Sequence, residues 1–207
     1  MPGARDCLIV VDVQNDFLPG GALAVAHGDE IVAPIAALAR RFANVVLTQD
    51  WHPADHVSFA PNHPGREPFG TIDLPYGPQV LWPSHCVQGG EGAALATGLD
   101  VPHAFLILRK GCDPAIDSYS AFREADRTTD TGLAALLKAR GIERVFVCGL
   151  ATDFCVAWTA LDARAAGFAT VLVEDASRAI DLGGSLAAAR AAMSAAGVVF
   201  ATIADVA

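Results

Sequence analysis

Residues Arg144–Glu174 read RVFVCGLATDFCVAWTALDARAAGFATVLVE. After Arg144 the run is apolar to Gly149. A helical pattern follows over Asp153–Ala166, then Gly167, then a second apolar run over Thr170–Glu174. Strands that are apolar on both faces, joined by a helix that stops at a glycine, are what a parallel sheet covered on both sides requires. The rhythm extends outward. Thr131–Arg140 is helical and ends at Gly141, and Ser185–Ala196 is helical and ends at Gly197 before a final strand at Val198–Ile203. Toward the N-terminus lie a strand at Leu8–Val13, a helix at Asp29–Phe42 and strands at Val45–Gln49 and Phe105–Arg109. The pattern predicts an α/β fold with a mostly parallel central sheet and helices on both faces.

One stretch breaks the rhythm. Trp51–Gly92 is rich in Pro, Gly and His with little periodicity, and loops of that length inside a compact domain are functional or disordered. Four of the six histidines (His52, His56, His63 and His85) fall in it, which argues against a solvated linker.

A chain of 207 residues, 53% hydrophobic and 18% charged, suffices for one sizeable core, so residues 1–207 are expected to form a single domain. Fourteen Lys and Arg against 23 Asp and Glu give a net charge of −9, which disfavours nucleic acid as a partner. Apolar runs break well before the roughly 20 residues of a membrane span, and no signal-peptide pattern precedes the first strand. A soluble, cytoplasmic protein is expected. Five cysteines, at 7, 86, 112, 148 and 155, show no CxxC pairing and are expected to be free thiols, with Cys7 and Cys148 acting as small core hydrophobes.

Reactive groups of open α/β sheets collect at the carboxyl ends of the strands, and four such ends carry unusual polar residues. Asp12 follows four apolar residues and must be paired, protonated or functional, because burying a lone carboxylate is costly. Asp16, in the loop beyond it, suits a turn or cap. Asp50-Trp51-His52 places a carboxylate and an imidazole two residues apart, and Trp82-Pro83-Ser84-His85-Cys86 supplies a further imidazole. Such donors suit Zn²⁺, Fe²⁺ or Mn²⁺, or serve as turn residues and a hydrogen-bonded His. Lys110 closes the third strand end, where a solvated lysine is the ordinary reading. At the fourth, Thr152 or Asp153 can cap the following helix, placing Cys155 in its first turn, where free N–H groups stabilise a thiolate and bind an oxyanion. Lys110 would lower the thiol pKa further and Asp12 would move its proton.

Six segments together resemble bacterial nicotinamidases of the isochorismatase-like cysteine hydrolase family, over essentially the whole chain. They are Val11-Asp12-Val13-Gln14-Asn15-Asp16-Phe17, Asp50-Trp51-His52-Pro53, Trp82-Pro83-Ser84-His85-Cys86-Val87, Lys110-Gly111, Asp117-Ser118-Tyr119-Ser120-Ala121-Phe122 and Gly149–Val156. The resemblance implies a three-layer α/β/α fold, a catalytic triad of Asp12, Lys110 and Cys155, and an oxyanion hole from Ala151 and Cys155 after a cis Leu150–Ala151 peptide. It also implies one divalent metal, zinc with iron or manganese as alternatives, held by Asp50, His52 and His85 in a loop region at about 50–92. His56 is left beside the metal ligands. Phe17, Trp82, Tyr119 and Leu150 are the implied substrate-binding residues. The implied reaction is hydrolysis of nicotinamide to nicotinate and ammonia in NAD salvage, extending to pyrazinamide, by a cytoplasmic protein compatible with a homodimer. A related amidase acting on another small amide, or a catalytically silent binding module, are the alternatives.

Overall fold

The computed structural model describes residues 2–206. Its centre is a six-stranded sheet of β1 (Asp6–Val11), β2 (Asn44–Asp50), β5 (Leu106–Lys110), β6 (Arg144–Leu150), β7 (Ala169–Arg178) and β8 (Val199–Ala201), ordered β5-β2-β1-β6-β7-β8 with parallel pairings throughout. The strands read as unbroken apolar runs because β1 and β2 are buried along their whole length. Side chains alternate between two cores. Leu8 and Val10 pack on one face with Ile35 and Leu38 of α1 (Val32–Ala39). Cys7, Ile9 and Val11 pack on the other with Leu137 of α2 (Leu133–Ala139), Ala160 of α3 (Ala157–Ala165) and Met193 of α4 (Ser185–Ala195). The expected three-layer arrangement is thus observed.

Strand order runs outward from β1 through β2 to β5 on one side and from β6 through β7 to β8 on the other. The topological switch point therefore lies between β1 and β6, the place where open sheets bind ligands beyond their carboxyl ends. Asp12 follows β1 there, and the Cys155 turn follows β6. Gly149 permits the close approach of these strands: with φ +120°, a Cβ on it would lie 2.1 Å from the Val11 carbonyl oxygen.

Three local expectations are corrected. The helix read over Asp29–Phe42 is a 3₁₀ turn at Gly28–Ile31 followed by α1. The helix read over Asp153–Ala166 opens as a π turn at Thr152–Val156, with the Val156 N–H reaching the Ala151 carbonyl at 3.1 Å, before α3 begins. Neither Thr152 nor Asp153 caps it by a side chain; the Asp153 carboxylate instead accepts from the Ile180 and Asp181 N–H groups and the Ser185 hydroxyl. Finally, Trp51–Gly92 holds an antiparallel hairpin, β3 (Thr71–Leu74) with β4 (Gly77–Val80). Strands of four residues containing Gly77 and Pro78 carry too little alternation to announce themselves. The segment is packed rather than loose: Phe59, Leu81 and Trp82 are buried. Among the described residues no helix is long and apolar enough to cross a membrane, and all five cysteines are free.

Candidate active site

The four strand ends converge. Asp12, in the left-handed region at φ 49°, is wholly buried, with Thr48 donating from its hydroxyl to Oδ1 at 2.5 Å. Asp12 Oδ2 faces the Lys110 ammonium at 2.9 Å and has no hydrogen-bond partner otherwise among the described residues. Lys110, also wholly buried, donates to Asp50 and to the Ser118 carbonyl at 3.1 Å, and its Nζ lies 3.4 Å from Cys155 Sγ. The solvated-lysine reading is therefore overturned: a fully buried ammonium must be paired, and here it is paired twice.

Burial is the largest influence on each member of this group. It pushes the Cys155 thiol well above its usual range, and the Lys110 charge only partly offsets it while the Asp12 and Asp50 carboxylates add to the rise. Desolvation thus opposes the lowering that the sequence assigned to Lys110, and the thiol proton is left for Asp12 to move. Asp12 is raised by burial against the opposing pull of Lys110, and the lysine, despite burial, is held protonated by Asp12 and Asp50. The site thus sets the Cys155 thiol beside the Lys110 cation and the Asp12 carboxyl group, whose Oδ2 has no hydrogen-bond partner among the described residues.

The second group adjoins the first through Asp50. Asp50 Oδ2 lies 3.7 Å from His52 Nε2 and 3.9 Å from His85 Nε2, all three residues being buried. His52 Nδ1 bonds the Gly111 carbonyl at 2.9 Å and His85 Nδ1 the Pro83 carbonyl at 2.8 Å. A carbonyl accepts only, so each Nδ1 carries its hydrogen and each Nε2 is directed toward Asp50. One carboxylate and two oriented imidazoles fit a first-row divalent ion with open positions. Burial opposes both ionisations. Lys110 and His52 nevertheless hold Asp50 far below the ordinary carboxylate range, whereas burial and the His52 charge bring His85 down to about 4.

His56 is committed elsewhere, with Nδ1 2.7 Å from the Ser58 hydroxyl and Nε2 3.2 Å from the Ile116 carbonyl; its ring packs 4.2 Å from that of His52. His63 stands apart, bonded to the Val57 carbonyl. Asp16 takes the turn role anticipated for it, accepting from Ala22 and, at 2.7 Å, from the Cys86 N–H, which anchors the segment presenting His85.

A small cavity reaches these groups, with Phe17, Trp82, Tyr119 and Phe154 as aromatic walls and Asp50, His52, His85, Ala151 and Cys155 at its polar end. Leu150 does not line it. As the last residue of β6 its side chain turns into the core, where Cδ1 lies 3.5 Å from the position of a Cβ on Gly28. The Leu150–Ala151 peptide is cis, as anticipated. Gln14, Thr48, Asp117 and Phe154 belong to the site without having been singled out, and Gln79 stands behind its Tyr119 wall. Gln14 clamps the Asp50 backbone, accepting its N–H and donating to its carbonyl, both at 2.8 Å. Its place in Asp-Val-Gln was the available signal.

An isochorismatase domain matches residues 6–205, and the chain belongs to this family. Within it, the chain is 60% identical over 199 residues to the nicotinamidase of Acinetobacter baylyi, covering 96% of this chain and 93% of the relative. A solved Acinetobacter baumanii nicotinamidase/pyrazinamidase superposes with a TM-score of 0.99 at 57% identity over 100% of both chains. A pyrazinamidase of Pyrococcus horikoshii, solved in complex with zinc, superposes at 0.78 with 35% identity, over 96% of this chain and 99% of that one.

Proposed function

We propose that the chain hydrolyses nicotinamide to nicotinate and ammonia, and pyrazinamide likewise, through a thioester on Cys155. The observation carrying this reading is the Asp12 Oδ2, without a hydrogen-bond partner, grouped with the Cys155 thiol and the Lys110 ammonium. Asp12 accepts the thiol proton as Cys155 Sγ attacks the amide carbon, and Lys110 keeps Asp12 anionic until then. The N–H groups of Ala151 and Cys155, at the start of the π turn, receive the developing oxyanion. Asp12 returns the proton to the departing ammonia, then takes one from the water that cleaves the thioester. Phe17, Trp82 and Tyr119 hold a planar ring at the distance this requires. Asp50, His52 and His85 would hold the divalent ion, zinc by analogy with the Pyrococcus relative; when bound it supplies a Lewis-acid anchor for a ring nitrogen. On this reading the protein serves cytoplasmic NAD salvage.

The test is product analysis of purified, metal-replete protein with nicotinamide. Equal amounts of nicotinate and ammonia are expected. No release from nicotinamide with turnover of a non-aromatic amide would move the assignment to another amidase.

A further inference from the structure

The catalytic cavity shares a wall with a larger groove. Tyr119 and Phe154 line both, and the groove, open to solvent, continues past Tyr76, Arg127 and Trp158. What fixes this wall comes from the hairpin. Gln79 on β4 is 2% exposed, and its Nε2 lies 2.9 Å from Tyr119 Oη, 2.6 Å from Asp117 Oδ2 and 2.7 Å from the Val80 carbonyl, so two protons serve three acceptors. Tyr76 donates to Gln79 Oε1 at 3.1 Å. On the other side Trp82 Nε1 donates to the same Tyr119 oxygen at 2.8 Å. One hydroxyl thus ties the hairpin, the cavity wall and the Trp82 segment together.

We propose that Gln79 is a positioning residue that sets substrate size: by pinning Tyr119 it keeps the ring end of the catalytic cavity closed to the neighbouring groove. The inference rests on the aromatic-amide reading above and deepens it to small, unsubstituted six-membered rings. Without the amide, Tyr119 loses one of its two donors, and its ring, 5.3 Å from that of Trp158, borders open space into which it can turn. The cavity then extends into the groove, and a ring substituent that the wild type rejects is accommodated. Discrimination of this kind by an apolar wall is worth about 10–200-fold in kcat/KM.

The experiment compares nicotinamide with nicotinamides carrying a phenyl group at ring carbon 5 or 6, on wild type, Gln79→Met, Tyr119→Phe and the double variant. Gln79→Met keeps volume and removes the hydrogen bonds. It should raise KM for nicotinamide several-fold with kcat within about threefold, and shift the kcat/KM ratio toward a phenyl substrate by at least about tenfold. Tyr119→Phe should give a similar shift, and the double variant no more than the larger single effect, because both act on one contact. An unchanged ratio in both single variants, or effects that multiply in the double variant, would overturn the proposal. Dissociation constants for the same ligands, read from tryptophan fluorescence on each variant, apply the same criterion to binding. Absence of wild-type hydrolysis would therefore contradict the functional reading while the size criterion is still decided.

Discussion

Lys110 donates a hydrogen bond to Asp50, so the cation beside the Cys155 thiol is also bonded to the carboxylate of the proposed metal ligands. Two groups that look separate in sequence, one of triad type and one of metal type, therefore share a buried ion pair. Removing one partner of such a pair costs about 3–5 kcal/mol, because the remaining charge stays buried. Lys110→Met is expected to lose activity by at least about 10²-fold and also to weaken metal retention, since Asp12 and Asp50 are left facing each other without a cation. Steady-state rates together with metal content after gel filtration check both. Lost activity with unaltered metal content would separate the two groups.

Gly111 predicts a second coupling. A Cβ there would lie 2.4 Å from His52 Cε1, and φ is +64°. Gly111→Ala must displace the imidazole whose Nδ1 the same residue's carbonyl orients. Metal affinity is expected to fall by about 10–100-fold, measured by competition with a chelating indicator. Unchanged affinity would mean that His52 is not a ligand.

Chelation gives a third expectation. Prolonged treatment with a strong chelator should suppress hydrolysis, and Zn²⁺, Fe²⁺ or Mn²⁺ should restore it, while the folded state persists by circular dichroism. His85→Ala should resist restoration. Full activity in metal-free protein would remove Asp50, His52 and His85 from the role assigned to them.

Acid stability is set partly at the far end of the sheet. Burial opposes ionisation of Asp6, but hydrogen bonds from Arg144, at 2.8 and 2.7 Å, and from the Gly3 N–H outweigh it and lower its pKa below 3.8. The stabilisation is present above the unfolded value and lost as pH falls through the folded one. Asp6→Asn should therefore destabilise at about pH 6, with the difference from wild type shrinking below about pH 4 in urea titrations. A difference independent of pH would show that the carboxylate charge contributes nothing.

Much of this was legible in the strands. Their apolar runs and the glycines at 141, 167 and 197 mark the sheet, and Asp12, Asp50, Lys110 and Cys155 stand out because polar groups follow residues that must be buried. What was hidden depends on three-dimensional partners. Gln79 sits in a four-residue strand with Pro78 and gains meaning only where Tyr119 meets it. Leu150 belonged to a reactive motif, yet its place at the end of a central strand turns it into the core. The depth of burial that raises the Cys155 thiol was hidden as well, because sequence shows the nearby cation and the helix start but not their distance from solvent.

The most direct test of the central claim is Cys155→Ala, assayed for ammonia release from nicotinamide and, in parallel, for nicotinamide binding by calorimetry. The account predicts binding close to that of wild type with turnover abolished. An active Cys155→Ala protein would contradict it.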